Sequence, residues 1–309
     1  MCCLFGVFDY GRSLTQKQKN RLLSVLSVAC EARGTDATGI SYNVGDKLCI
    51  YKRPRPARWM RFQVPAEADV IMGHTRMPTQ GTERKNHNNH PFPGYVRDGQ
   101  FALAHNGVLY NDLRLRKQYK LPATKIETDS YIAVQLIEDS GELNFSGLRY
   151  MAEKLEGSFT ITVLSDHDDL YFIKGDNPMC LYHYPERGLY VYASTEEILR
   201  TALRRLPFEL GTPVKVELFC GDILRIDKDG HQERSTFDTS NLFPYMYKPW
   251  MDLGLQSVSS SGVTKSIEDN YLEDLKTIAM YYGIYPTEID KLLADGFTTD
   301  EIEELLYCG

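Results

Sequence analysis

Apolar and polar positions switch between two periods along the first three-quarters of the chain. Residues 3–9, Cys-Leu-Phe-Gly-Val-Phe-Asp, form a short run of apolar and small side chains that suits a strand in a buried sheet. From Thr15 the period lengthens. Thr15-Gln16-Lys17-Gln18 has the form of a capping box, and Leu22, Leu26, Ala29 and Arg33 recur at helical spacing up to Gly34, a natural residue just past a helix end. Residues 35–41 read as a turn feeding a strand, and Asn43-Val44-Gly45-Asp46 as a hairpin before a strand at 47–51.

Residues 68–73 then form a buried strand, followed by a long polar loop from about 78 to 99 and a second buried strand at 101–105 stopped by Asn106-Gly107. Thr128-Asp129-Ser130 offers an N-cap to a helix over 131–137, and 148–155 is helical. An antiparallel pair is expected at 158–163 and 169–174, a strand at 189–193, and a helix capped by Thr195 and running to 206. Strands at 214–216 and 221–226 close the core. Grouped strands and helices with several hairpins predict an α+β domain of stacked sheets with helices outside.

The pattern changes after 236. Residues 243–250 are rich in aromatics and proline and 257–262 in serine and glycine, so 237–266 reads as a linker. Short helices are expected at 267–282, 287–295 and 299–307, the last with Thr298 and Glu301 as a capping box. The expected organisation is therefore a domain over 2–236, the linker, and a small helical module over 267–309 close to the lower size limit for independent stability.

Composition narrows the function classes. The 309 residues carry 42% hydrophobic and 25% charged side chains and a formal net charge of -7, which argues against a nucleic-acid partner. The basic run Lys52-Arg53-Pro54-Arg55 reads as a solvated loop or small anion contact. Seven cysteines fit neither a metal-ligand spacing nor a disulfide framework, and no stretch reaches the ~18 apolar residues of a membrane span, so a soluble, cytoplasmic protein is expected. His74, His87, His90 and His105 match no zinc spacing, and neither a metal nor a cofactor is expected.

Chemistry concentrates at the start. Removal of Met1 would give Cys2 a free α-amine, which titrates near ~7.7–8.0 in model peptides and can take a proton from the thiol of the same residue. Asn106 and Gly107 offer an amide and a backbone N–H at one point, as oxyanion stabilisation requires. Arg76 has the fork that grips a carboxylate, and Asp129 can accept from an ammonium group. Each also has an ordinary reading: Asn-Gly as a turn, Arg76 as an ion-pair residue, Asp129 as a helix cap.

Taken together and in order, Met1-Cys2-Cys3-Leu4-Phe5-Gly6, Arg33-Gly34-Thr35-Asp36-Ala37-Thr38-Gly39, Gly73-His74-Thr75-Arg76-Met77-Pro78-Thr79-Gln80-Gly81, Asn89-His90-Pro91, His105-Asn106-Gly107 and Glu127-Thr128-Asp129-Ser130 resemble the motifs of class II glutamine amidotransferases. The likeness is to the glutaminase domain of glucosamine-6-phosphate synthase, without its isomerase domain, and covers about residues 2–230. The resemblance implies an N-terminal nucleophile hydrolase fold, a four-layer αββα sandwich. It implies that Cys2 attacks the side-chain amide of L-glutamine and releases ammonia through a thioester. It further implies that Asn106 and Gly107 form the oxyanion hole, that Arg76 and Asp129 hold the substrate's carboxylate and amine, and that Thr79 lies in the loop closing on it.

The chain departs from the pattern at Cys3, where the family has Gly, at Gln80, where the sugar synthase has His, and at Met77-Pro78, which replace Trp-Ala. No acceptor domain is recognised after 236. Ammonia is then expected to pass to a separate synthetase or transferase subunit. Another γ-glutamyl conjugate as substrate, a non-catalytic assembly role for the fold, and a homo-oligomer are left open.

Overall fold

The computed structural model describes residues 2–45, 47–78, 80–242, 276, 286–295, 297–298 and 302. By compactness the chain divides into Met1–Asp252 and Leu253–Gly309. In the first unit the strands are β1 (Cys3–Phe8), β2 (Ala37–Val44), β3 (Lys47–Arg53), β4 (Val70–Arg76), β5 (Phe92–Val96), β6 (Gly99–Leu109) and β7 (Gly157–Ser165). They continue as β8 (Leu170–Lys174), β9 (Cys180–Tyr184), β10 (Leu189–Ala193), β11 (Val214–Val216), β12 (Asp222–Ile226) and β13 (Gln232–Thr236). The helices are α1 (Gln16–Ala29), α2 (Asp112–Gln118), α3 (Tyr131–Ser140), α4 (Phe145–Ala152) and α5 (Glu196–Leu203).

These strands build a seven-stranded sheet in the order β11-β9-β10-β1-β4-β2-β3 and a six-stranded sheet in the order β13-β12-β8-β7-β6-β5. Every paired neighbour is antiparallel. Because side chains alternate across a strand, each strand feeds two cores. From β1, Cys3, Phe5 and Val7 pack with Leu22, Leu26, Leu199 and Ala202 of α1 and α5. Leu4 and Phe8 face the other way and meet Ala102, Ala104, Leu164 and Phe172 of the second sheet. On that sheet's outer side Phe101, Leu103, Phe159 and Ile161 pack with Ile132, Leu136, Leu148 and Met151 of α3 and α4. Helices, sheet, sheet and helices thus form the four-layer αββα sandwich.

The helix starts at Thr15 and Thr195 behave as their chemistry requires. Thr15 accepts from Gln18 N while Gln18 Oε1 accepts from Thr15 N, closing a capping box, and Thr195 accepts from Ile198 N. Other expectations fail for local reasons. The first helix stops at Ala29 and a 3₁₀ turn, Cys30–Ala32, follows, so Gly34 does not terminate it. Gly34 is required elsewhere: a Cβ there would lie 2.6 Å from the Arg76 carbonyl carbon. Asn106-Gly107 does not stop β6, which continues to Leu109 with Gly107 at φ +145°.

The polar segment after residue 78 is not structureless. It contains a 3₁₀ turn, Asn86–Asn88, and β5. No side chain caps α3 at Ser130, because Asp129 turns away from the helix and accepts from Leu109 N. In the second unit α6 (Pro286–Ala294) buries Ile289, and Lys276 pairs with Asp290. The helices expected at 267–282 and 299–307, and Glu301 of the expected capping box, lie outside the described residues save for Lys276 and Ile302.

Replacing Thr15 by Ala removes one arm of the capping box and is expected to lower stability by about 1 kcal/mol in urea unfolding, with Thr15→Gly costing only a few tenths.

Candidate active site

Cys2 directly precedes β1, and the register of β1 on β4, Cys3 opposite Thr75, sets it beside Arg76. Its carbonyl accepts from Arg33 Nε at 3.0 Å, and its Sγ lies 3.5 Å from the Met77 carbonyl oxygen. Burial of the sulfur raises the thiol above its ordinary value. A backbone hydrogen bond with Met77 and the charge of Arg76 act against that rise, and Asp129 adds to it. Arg76 and Asp129 therefore both act on the same sulfur.

The pleat decides what else faces Cys2. Leu4 points between the sheets, so Cys2, two residues earlier, lies on the same face; Ala102 and Ala104 point there from β6, and Asn106 continues their row. Asn106 is fully buried, and neither its amide nitrogen nor its amide oxygen has a partner among the described residues. Leaving a buried polar group unpaired costs about 1–3 kcal/mol. Such a residue marks a place where a ligand completes the hydrogen bonding. Beside it, Gly107 has no substitute: at φ +145° a Cβ would sit 1.9 Å from the Ser158 carbonyl oxygen.

Arg76 is buried, and three of its N–H groups are engaged, by Asn89 Oδ1 at 2.8 Å, Gln80 O at 2.6 Å and Gly81 O at 2.9 Å. Two of the five guanidinium N–H groups remain for another acceptor among the described residues. Asp129 is buried at the end of β6, with Oδ2 accepting from Leu109 N at 2.7 Å and Oδ1 lying 3.4 Å from Ser130 Oγ. Cys2, Arg76, Asp129, Asn106 and Gly107 thus converge at one end of the two central sheets. Thr79 lies outside the described residues.

Three further groups belong to this end of the molecule and carry no role in the sequence reading. His74, His90 and His105 are buried, with the His74 and His90 rings 4.2 Å apart and His90 and His105 6.5 Å apart. Desolvation holds all three below the usual histidine range, His74 at about 3. They are neutral near pH 7. His74 Nε2 reaches the His105 carbonyl oxygen at 3.0 Å, which orients it as the donor, and His105 Nδ1 lies 2.8 Å from Ser130 Oγ.

Asn89 is the second missed group. It holds Arg76 through Oδ1 and donates to Glu83 O and Asn86 Oδ1, while its own carbonyl accepts from Lys52 Nζ. Lys52 is the third, and it departs from the solvated reading that its exposed neighbours Arg53 and Arg55 keep. Its ammonium is desolvated between the carbonyls of Asn89 and Pro91 and lies over the Phe92 ring. Burial, with Arg76 nearby, lowers it to about 8. The Asn89-His90-Pro91 motif pointed at this place; nothing in the periodicity of residues 47–53 separates Lys52 from its exposed neighbours.

The αββα sandwich thus carries a thiol at the head of a central strand of its first sheet. Residues 74–201 match the family described as glutamine amidotransferase domain. Glutamine–fructose-6-phosphate aminotransferase (isomerizing) of Staphylococcus aureus is 31% identical over 190 residues, covering 59% of this chain and 30% of that enzyme. Its counterpart in Bacillus licheniformis is 32% identical over 158 residues, 48% of this chain and 26% of the enzyme. The chain thus spans less than a third of the length of these relatives.

Among solved structures, the glutamine phosphoribosylpyrophosphate amidotransferase of B. subtilis, complexed with ADP and GMP, matches with a TM-score of 0.59 at 22% identity, over 77% of this chain and 49% of that one. A structure described as the allosteric regulatory enzyme of purine biosynthesis matches with a TM-score of 0.60 at 19% identity, over 91% and 58%. These two likenesses are of fold. The family match supports a glutamine amidotransferase domain over residues 74–201, and the two structures share its fold.

Burying three neutral imidazoles makes stability depend on pH with a fixed sign. Between the ordinary histidine value of 6.5 and the folded value of His74 near 3, the unfolded chain binds more protons than the folded one. Stability is expected to be full above about pH 6.5 and to fall as the pH drops towards 3. Urea midpoints measured across that range check it, and His90→Phe, which removes one titrating ring, should flatten the slope.

Proposed function

We propose that this domain hydrolyses the side-chain amide of glutamine to glutamate and ammonia, with Cys2 as nucleophile once Met1 is removed. The observation that carries the reading is the buried, unpartnered amide of Asn106 on the same inter-sheet face as Cys2. A tetrahedral oxyanion would supply the hydrogen-bond partner that the amide nitrogen lacks. Because burial raises the Cys2 thiol, the group attacks as a thiol that must lose its proton on the way, and the α-amine of the same residue is the base placed to receive it.

In this reading the sulfur adds to the amide carbon while Asn106 Nδ2 and the Gly107 N–H hold the developing oxygen charge. The leaving nitrogen takes the proton back from the amine and departs as ammonia. Water, deprotonated by the same amine, then hydrolyses the thioester. Arg76 takes the substrate's α-carboxylate with the N–H groups left over from Asn89 and the loop carbonyls, and Asp129 takes its ammonium. Thr79 belongs to the loop that closes over this site. The ammonia is passed to an acceptor, a synthetase or transferase, held on a separate subunit.

Intact-mass analysis with a glutaminase assay tests the reading. Active protein is expected to begin at Cys2, Cys2→Ala to be inactive, and Asn106→Ala to remain folded while losing ~10²–10³ in kcat. Full activity in Cys2→Ala, or in protein that retains Met1, would falsify it.

A further inference from the structure

Cys3 and Cys30 face each other with their sulfurs 2.9 Å apart, both fully buried and neither in a disulfide. The chemistry proposed for Cys2 uses neither. Cys3 opens β1 one residue after the nucleophile. Cys30 opens the 3₁₀ turn that leads into Arg33, whose Nε holds the Cys2 carbonyl. The two thiols therefore join the same two segments that position Cys2 from below.

Their surroundings make them unequal. Desolvation raises both. At Cys3, hydrogen bonds from Cys30 and Ser194 outweigh it and bring the thiol below its ordinary value, whereas desolvation and the neighbouring Cys3 push Cys30 well above. Of the two sulfurs in contact, Cys3 is the one held lower and Cys30 the one held higher. This is the division of labour between an attacking and a resolving cysteine. Both sulfurs are fully buried, so a reagent of near-water size reaches them through local opening of the structure.

We propose that Cys3 and Cys30 form a reversible dithiol–disulfide site beside the nucleophile, oxidised by hydrogen peroxide, and that the disulfide slows reaction at Cys2. The Cys3 sulfur attacks one peroxide oxygen, the O–O bond breaks, and the departing hydroxide takes a proton to leave as water, giving a sulfenic acid. The Cys30 sulfur attacks the Cys3 sulfur, the S–O bond breaks, and the second hydroxide leaves as water with the Cys30 proton. Two thiols are oxidised and one peroxide is reduced to two waters. Closing the bond to the ~2.0 Å of a disulfide draws the sulfurs together by a little under about 1 Å. A displacement of that size beside the reacting group is enough to cost ~10²-fold in rate.

The rate effect rests on the function proposed above; formation of the disulfide does not, so the two are read separately. In the full chain carrying Cys2→Ser, peroxide treatment, alkylation in denaturant and peptide mapping are expected to give a Cys3–Cys30 cross-linked pair that dithiothreitol removes. Recovery of both cysteines as alkylated thiols, or cross-linking to other cysteines instead, would overturn the site. In the chain with native Cys2, peroxide followed by arsenite, which reduces sulfenic acids and spares disulfides, should leave glutaminase activity 10- to 100-fold down until dithiothreitol is added. Cys30→Ser, or Cys30→Ala should the serine variant not fold, should recover with arsenite alone. Equal recovery of wild type and variant would overturn the link to Cys2.

Discussion

The antiparallel register of β1 on β4 is the constraint on which the rest of the site depends. Cys3 lies opposite Thr75, so the residue before the strand meets the last residue of β4, and Cys2 and Arg76 become neighbours without any loop having to place them. Alternation then does the remaining work. It sends Cys3 to the helix side and turns Cys2 and Leu4 towards the second sheet, where Asn106 waits on the row of Ala102 and Ala104. A slip of one residue would exchange these faces, putting the Cys2 side chain against α1 and the apolar side chains of β1 in the wrong cores. The hydrophobic pattern that folds the sheet is thus the same pattern that aims the thiol.

Holding this arrangement has a cost, and its form is informative. The Asn106 amide and both ring nitrogens of His90 are buried with no partner among the described residues, each at about 1–3 kcal/mol. The second sheet tolerates them because its outer face is packed by α3 and α4 with side chains that are fully buried. The imidazoles add no charge to the site, since desolvation keeps them neutral. Among the described groups facing Cys2, the charges that act on its sulfur are those of Arg76 and Asp129, one of each sign. That pairing suits a zwitterion and leaves a neutral amide for the thiol.

Much of this was legible in the chain itself, and the failures have a common cause. The strand at Cys3 and the caps at Thr15 and Thr195 follow from local chemistry that residues carry with them. Gly34 and Gly107 were misjudged because their local chemistry, helix stop and turn, was overruled by what lies across from them: the Arg76 backbone in one case and Ser158 in the other. Lys52 was misjudged likewise. A lysine in a basic run reads as solvated, and only the return of residues 86–91 over β3 buries it. Local signals located most of the elements; close approaches between distant segments could not be read from them.

Lys52 also shows how the Arg76 end of the site is held. Arg76 is fixed by Asn89, and Asn89 is fixed through its carbonyl by Lys52, so the orientation of the guanidinium rests on a second buried cation. Two like charges in one low-dielectric region repel, and this repulsion is part of why Lys52 is lowered to about 8. Near neutral pH the amine therefore titrates within reach of the working range, while Arg76 stays charged. Negative charge brought to Arg76 would offset both cations and raise Lys52 again, so the charge on Lys52 and whatever Arg76 holds are linked.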